Sequence, residues 1–148
     1  QERNHDVKII FTVSPIRYAK YGYHASQLSK AALLLSVHDV IGEHVDENVA
    51  YFPAYEIVND ELRDYRFYKA DMLHPNEQAV EYIWERLVDM YFSPSAKEFL
   101  HEWKPVKEAF AHRPFNPESS EYKNFMVKMR AHAKLLAQKY NGLIIEDQ

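Results

Sequence analysis

Two short apolar runs separated by one helical segment dominate the hydrophobic pattern of the first half of the chain. Residues 8–13, after the initial Lys8, and residues 49–52 are mostly apolar and largely β-branched or aromatic, which is typical of parallel strands buried on both faces. Between them, apolar side chains recur at helical spacing from Ser26, a candidate N-cap, to about residue 43, with Gly42 as a candidate end. Strand, helix and strand in this order predict one βαβ unit with parallel strands. The predicted buried stripe of the helix consists of Leu28, Ala31, Ala32, Leu35 and Val37.

Three more helices are predicted downstream. Helical spacing covers residues 75–92, Ser93-Pro94 has the cap and first-turn residues of a second helix, and 118–140 forms a third with Gly142 beyond its end. Pro105 should kink or break the middle helix, because proline removes one backbone hydrogen bond. Two strands are too few for a self-sufficient sheet, so we expect neighbouring strands from elsewhere.

Composition excludes several classes of protein. The 148 residues are 47% hydrophobic, so a folded core is expected rather than disorder. The net charge of −4, with both signs interspersed, does not favour nucleic acid or an anionic membrane as a partner. The chain contains no cysteine, which excludes disulfides, thiolate metal sites and a cysteine nucleophile within it and leaves the cellular compartment open. We expect no cofactor and no metal.

The strongest chemical signal is the segment Asp71-Met72-Leu73-His74-Pro75. A carboxylate three residues before a histidine can orient the imidazole and stabilise its protonated form, so the pair can serve as two members of a hydrolytic triad. The alternative is a helix entrance in which polar side chains satisfy amides and Pro75 begins the helix. Glu98 and His101 have the same spacing, so spacing alone does not decide.

Two residues after the first strand are candidate substrate contacts. Ser14 lies where parallel sheets place ligands, although ending the strand together with Pro15 explains it as well. Arg17 could meet an anionic substrate group or be an ordinary surface residue.

An ordered set of segments resembles the GSCFA family, which belongs with the SGNH (GDSL-type) hydrolases. These segments run in order through most of the chain: 11–17 (FTVSPIR), 26–31 (SQLSKA), 51–57 (YFPAYEI), 60–68 (DELRDYRFY), 71–75 (DMLHP) and 111–117 (AHRPFNP). The Gly-Ser-Cys-Phe-Ala motif that names the family cannot be present, because there is no cysteine. The resemblance therefore covers the C-terminal half of the catalytic domain, and it puts Asp71 and His74 in the acid and base positions.

The resemblance implies an α/β fold. Residues 1–92 would form part of an SGNH-like three-layer α/β/α sandwich with parallel strands, and 93–148 a helical C-terminal extension. The implied function is that of a serine esterase acting on a small-molecule or carbohydrate ester. Its partner would be the missing N-terminal half of the same domain, which supplies the nucleophile, so this chain would be inactive alone. The alternative is a non-catalytic interaction or scaffolding module that docks on a partner through its half-sheet. The exposed sheet edge of the isolated chain also predicts oligomers or strand exchange.

Overall fold

Two parallel strands and the helix between them begin the described part of the protein. The computed structural model describes residues 6–43, 48–141 and 143. Strand β1 (Ile9–Thr12), helix α1 (Tyr23–Glu43) and strand β2 (Val49–Phe52) follow in chain order. The strands pair in parallel, in a register that joins Ile9 to Val49 and Thr12 to Phe52. The predicted parallel pair in a mixed α/β fold is thus confirmed.

The start of α1 differs from the prediction. The helix begins before Ser26, and the Ser26 hydroxyl accepts a hydrogen bond from the Tyr18 amide (3.1 Å) instead of capping it. Gly22, with φ +87°, turns the chain into the helix, because this left-handed conformation is easy only for glycine. The predicted end near residue 43 is confirmed, since α1 extends to Glu43, although Gly42 lies within the helix and does not stop it.

The predicted burial of β1 and α1 was wrong as well. Leu28 and Leu35 of the expected stripe are 58% and 64% exposed, Ala31 and Ala32 are exposed, and Val37 is partly buried. Ile9 and Ile10 of β1 are also exposed. The reason is that a sheet of two strands covers only a narrow strip of a 21-residue helix.

Short helical turns link β2 to the next long helix. Helix α2 (Ala54–Glu56) continues into a π-helical turn (Ile57–Leu62), and a 3₁₀ turn (Tyr65–Phe67) precedes helix α3 (Glu77–Tyr91). The chain divides into two compact units, Gln1–Met90 and Tyr91–Gln148. The buried apolar residues of the first unit are Val13, Phe52, Ala54, Ile57, Val58, Phe67 and Ala79.

The second unit is a pair of helices, α4 (Pro94–Ala111) and α5 (Ser120–Lys139). Serine hydroxyls cap both: Ser93 accepts from the Ala96 amide and Ser119 from the Tyr122 amide. Helix α4 continues past Pro105, so the proline does not break it. Gly142 lies outside the described residues. The core of this unit consists of Val106, Ala133 and Leu136, with Trp103, Tyr140 and Leu143 packed against it.

Candidate functional site

The segment between the 3₁₀ turn and α3 is a loop whose two ends are joined by backbone hydrogen bonds. Tyr68 and Pro75 form an antiparallel bridge, and the Lys69 amide donates to the His74 carbonyl oxygen (2.8 Å). Met72, between them, has φ +61°, a left-handed conformation uncommon for a residue with a side chain. The loop therefore holds residues 71–74 in one defined geometry.

Asp71 uses both carboxylate oxygens within this loop. Oδ1 accepts hydrogen bonds from the amides of Leu73 (2.8 Å) and His74 (3.0 Å), and Oδ2 lies 2.6 Å from His74 Nδ1. The two backbone amides first, and then the His74 ring, lower the pKa of Asp71 from 3.8 to about 2. The carboxylate is therefore charged and acts only as an acceptor, so Nδ1 must donate.

This arrangement leaves the far nitrogen of His74 available. With its proton on Nδ1, a neutral imidazole has an unprotonated Nε2 that can accept a proton. The side chains of His74 and Asp71 are 50% and 43% exposed, and within the described residues Asp71 is the only side-chain partner of the ring. The pair has the geometry of a base and the carboxylate that orients it.

Asn76, not Asp71 or His74, caps the following helix. Asn76 Oδ1 accepts from the Ala79 amide (3.0 Å), and the Asn76 carbonyl accepts from the Val80 amide. Pro75 lies before the helix, which begins at Glu77. Asp71 and His74 therefore do not cap α3, and Pro75 is not its first residue, although Asp71 does satisfy two backbone amides of the loop that leads to the helix.

Ser14 lies in a turn at the end of β1. Its hydroxyl accepts from the Ile16 amide (3.3 Å), as expected for a residue that closes a strand. Its carbonyl accepts from Lys30 Nζ (2.6 Å). No hydrogen bond joins the Ser14 hydroxyl to His74 in the described part of the chain.

Arg17 connects the end of β1 to the loop. Its amide donates to the Leu73 carbonyl (3.1 Å), and its guanidinium carbon lies 4.4 and 5.0 Å from the ring centroids of Tyr68 and Tyr65. Its Nη1 is 3.5 Å from the Met72 carbonyl. The structure thus brings Arg17 to the Asp71–His74 loop, where it packs on two tyrosines.

A cleft of about 480 Å³ adjoins this contact. It is lined by Pro15, Ile16, Arg17, Tyr23, Ser26, Gln27, Lys30, Tyr55, Asn59, Tyr65 and Met72. Asp71 and His74 do not line it, but Met72 is the neighbour of Asp71. Sequence reasoning missed Gln27, Lys30 and Tyr55. The available signal was the spacing of residues 23, 26, 27 and 30, which puts them on one face of a helix.

The second unit has a pocket of its own, of about 740 Å³, next to residues 112–116. The acidic residues Glu108 and Glu121 are among its lining, together with several aromatic rings. Nowhere in the described ranges do three or more His, Asp or Glu side chains come together as a metal site. Among the described helices, none is long and apolar enough to cross a membrane.

Comparison with known proteins gives one relationship. No curated protein and no solved structure matches the chain. The sequence profile described as "GSCFA family" matches residues 1–87, and that described as "GSCFA domain protein, C-terminal domain" matches residues 103–147. The first match alone spans more than half of the chain, and the two run in order along it: the chain belongs to the GSCFA family.

Proposed function

We propose that Asp71 and His74 are the acid and base of an SGNH-type serine esterase that acts on a small-molecule or carbohydrate ester. The observation that carries this proposal is the 2.6 Å contact of His74 Nδ1 with an Asp71 carboxylate that two backbone amides already fix. Such a contact sets the tautomer of the ring and leaves Nε2 for the reacting proton.

The mechanism needs a nucleophile from a segment outside these 148 residues. A serine hydroxyl supplied by that segment attacks the ester carbonyl while His74 Nε2 takes its proton. His74 then returns the proton to the leaving alcohol, and Asp71 stabilises the imidazolium throughout. The acyl-serine ester that remains is then attacked by water, which loses its proton to His74 Nε2, and the serine takes this proton as it leaves, so that the acid is released. The chain alone is inactive, because the nucleophile and the oxyanion donors are the largest contributors to catalysis.

The parallel pair is proposed as part of a three-layer α/β/α sandwich, with residues 93–148 as its helical extension. The exposure of Ile9 and Ile10 on β1 and of Leu28 and Leu35 on α1 supports further strands beside them. Adding strands to the sheet would cover these side chains and pair the open edge of β1.

The test is hydrolysis of p-nitrophenyl acetate by the protein expressed from its complete gene. His74→Ala should lower kcat by about 10³-fold or more, because the general base is lost. His101→Ala is the matched control, since His101 has the same acid-x-x-His spacing and lies exposed on α4. Hydrolysis that is equally fast in wild type and His74→Ala would refute the proposed role.

A second candidate function is a docking module that pairs with a partner strand. The open edge of β1 and the apolar side chains of Ile9 and Ile10 favour it. Esterase activity of the complete gene product distinguishes the two, since an exposed sheet edge predicts oligomers of the 148-residue chain in both cases. A complete gene product without esterase activity, together with an oligomer of the chain that Ile10→Lys disperses, supports docking.

A further inference from the structure

We infer that the cleft beside the Asp71–His74 loop binds a small organic anion, and that Lys30 and Arg17 hold its carboxylate or phosphate group. Among the residues that line the cleft, Arg17 and Lys30 are positively charged and none is acidic. The whole chain has a net charge of −4, so an acid-free lining with two cations departs from the average surface. Cations gathered in a concave site attract anions and raise their local concentration.

Neither cation has an anionic partner within the described residues. Lys30 Nζ donates to the Ser14 carbonyl oxygen (2.6 Å) and lies 6.0 Å from the Tyr55 ring centroid. An ammonium group has three donors, so this geometry leaves two of them for a ligand. Burial lowers the pKa of Lys30, because no countercharge compensates for the loss of solvent.

The guanidinium of Arg17 is fixed but not neutralised. It lies over two tyrosine rings, and its only hydrogen-bond acceptor within the described residues is the Met72 carbonyl at 3.5 Å. Stacking on aromatic rings orients a guanidinium while its outer N–H groups stay available.

The first turns of α1 add to the positive field. Tyr23, Ser26, Gln27 and Lys30 follow one face of this helix from its first residue and all line the cleft. The first turn contains no acidic residue, so the partial positive charge of the helix N-terminus is not offset there.

The remaining lining suits a ring or acyl body attached to the anion. The rings of Tyr23, Tyr55 and Tyr65 and the side chains of Ile16 and Met72 provide apolar surface. Gln27 Oε1 accepts from the Tyr55 hydroxyl (3.0 Å), which leaves the amide NH₂ of Gln27 to donate. A volume of about 480 Å³ is within the range of small-molecule sites.

The claim that this ligand is the substrate rests on the proposed function, whereas the claim that the cleft binds an anion does not. If the ligand is the substrate, the ester has an anionic group on its acyl or alcohol part, because Met72, which lines the cleft, follows Asp71 directly in the chain. Anion binding itself needs no nucleophile, so the two proposals can fail separately.

The experiment is calorimetric titration of the 148-residue chain, at low salt, with benzoate, phenyl phosphate and the uncharged isostere benzamide. We expect the better of the two anions to bind at least about ten-fold more tightly than benzamide, and salt to weaken it. The tighter anion identifies the group that the site prefers. Equal binding of benzamide and both anions would overturn the inference.

Variants locate the site. Lys30→Met should weaken anion binding by about five-fold or more, whereas Lys107→Met, an exposed lysine of α4 outside the cleft, should leave it unchanged. Gln27→Glu adds a carboxylate to the lining and should abolish the preference for anions even if Lys30→Met folds poorly. Anion binding that survives both substitutions would place the anion elsewhere. If the variants lose anion binding and the complete gene product lacks esterase activity, the anion site is supported and only the esterase proposal is refuted.

Discussion

The Asp71→Asn substitution tests the proposed roles most directly, because it keeps the shape of the side chain and removes its charge. The amide oxygen of the asparagine can still accept the Leu73 and His74 amides that Oδ1 accepts at 2.8 and 3.0 Å. Its NH₂ group then occupies the position of Oδ2, 2.6 Å from His74 Nδ1. Since an amide NH₂ only donates, Nδ1 must become the acceptor, and the proton of the neutral ring moves to Nε2.

An imidazole with its proton on Nε2 cannot take the proton of a nucleophile at that atom. We expect kcat of the protein from the complete gene to fall by about 10⁴-fold with Asp71→Asn, which is the loss typical of replacing a triad carboxylate by its amide. The loop keeps its backbone hydrogen bonds, so its fold should be retained. ¹⁵N NMR of the neutral His74 ring in the 148-residue chain measures the tautomer without any activity.

Glu98→Gln is the matched control. Glu98 precedes His101 by the same three positions, but its carboxylate accepts from Lys139 Nζ (2.8 Å). The Glu98→Gln substitution should leave kcat unchanged. If Asp71→Asn moves the ring proton to Nε2 and yet retains kcat within about three-fold of wild type, the tautomer argument is wrong, because general base catalysis contributes far more than that.

Three further predictions concern stability. The pKa of Asp71 is about 2 in the folded protein, below its ordinary value of 3.8. The charged Asp71 carboxylate therefore stabilises the fold above about pH 4, and this stabilisation is lost as the pH falls towards 2. The difference in Tm between wild type and Asp71→Asn should shrink over that interval. Val106 is fully buried, and Val106→Ala should lower the free energy of unfolding in urea by about 2–3 kcal/mol, because it removes two methyl groups and leaves a cavity. Val127→Ala, on the exposed side of α5, should change this free energy by no more than about 0.5 kcal/mol. Equal losses of stability in the two variants would contradict the assigned core. Asn76→Ala should cost about 1 kcal/mol of stability or more, because it removes both the cap and the hydrogen bond that Asn76 Nδ2 donates to the Arg66 carbonyl oxygen, and Asn76→Asp should restore only the cap. An unchanged free energy of unfolding for Asn76→Ala would refute the capping role.

Local sequence was a sound guide wherever a few neighbouring residues decide the structure. The apolar runs identify both strands, and Ser93-Pro94 identifies the start of α4, because a side-chain oxygen and a fixed φ angle act within one turn. The motif Asp71-x-x-His74 could be recognised as a candidate pair for the same reason, since both residues lie in one short loop.

Burial could not be read from the sequence in the same way. The apolar stripe of α1 predicts a covered face, yet Leu28 and Leu35 are exposed, because coverage depends on how many strands lie beneath the helix. The start of α1 was misplaced for a related reason. Ser26 is a good capping residue by type, but its hydroxyl accepts from Tyr18, in a loop that packs back on the helix.

The sequence by itself determined the family, the parallel βαβ order and the two residues of the proposed acid–base pair, because each depends on residue identity and short spacing. Only the tertiary structure decided that Arg17 packs on Tyr65 and Tyr68 and that Lys30 faces an acid-free cleft. These contacts join positions up to tens of residues apart. Hydrogen bonds and charges act over a few ångströms in space, and distance along the chain does not reveal which groups come that close.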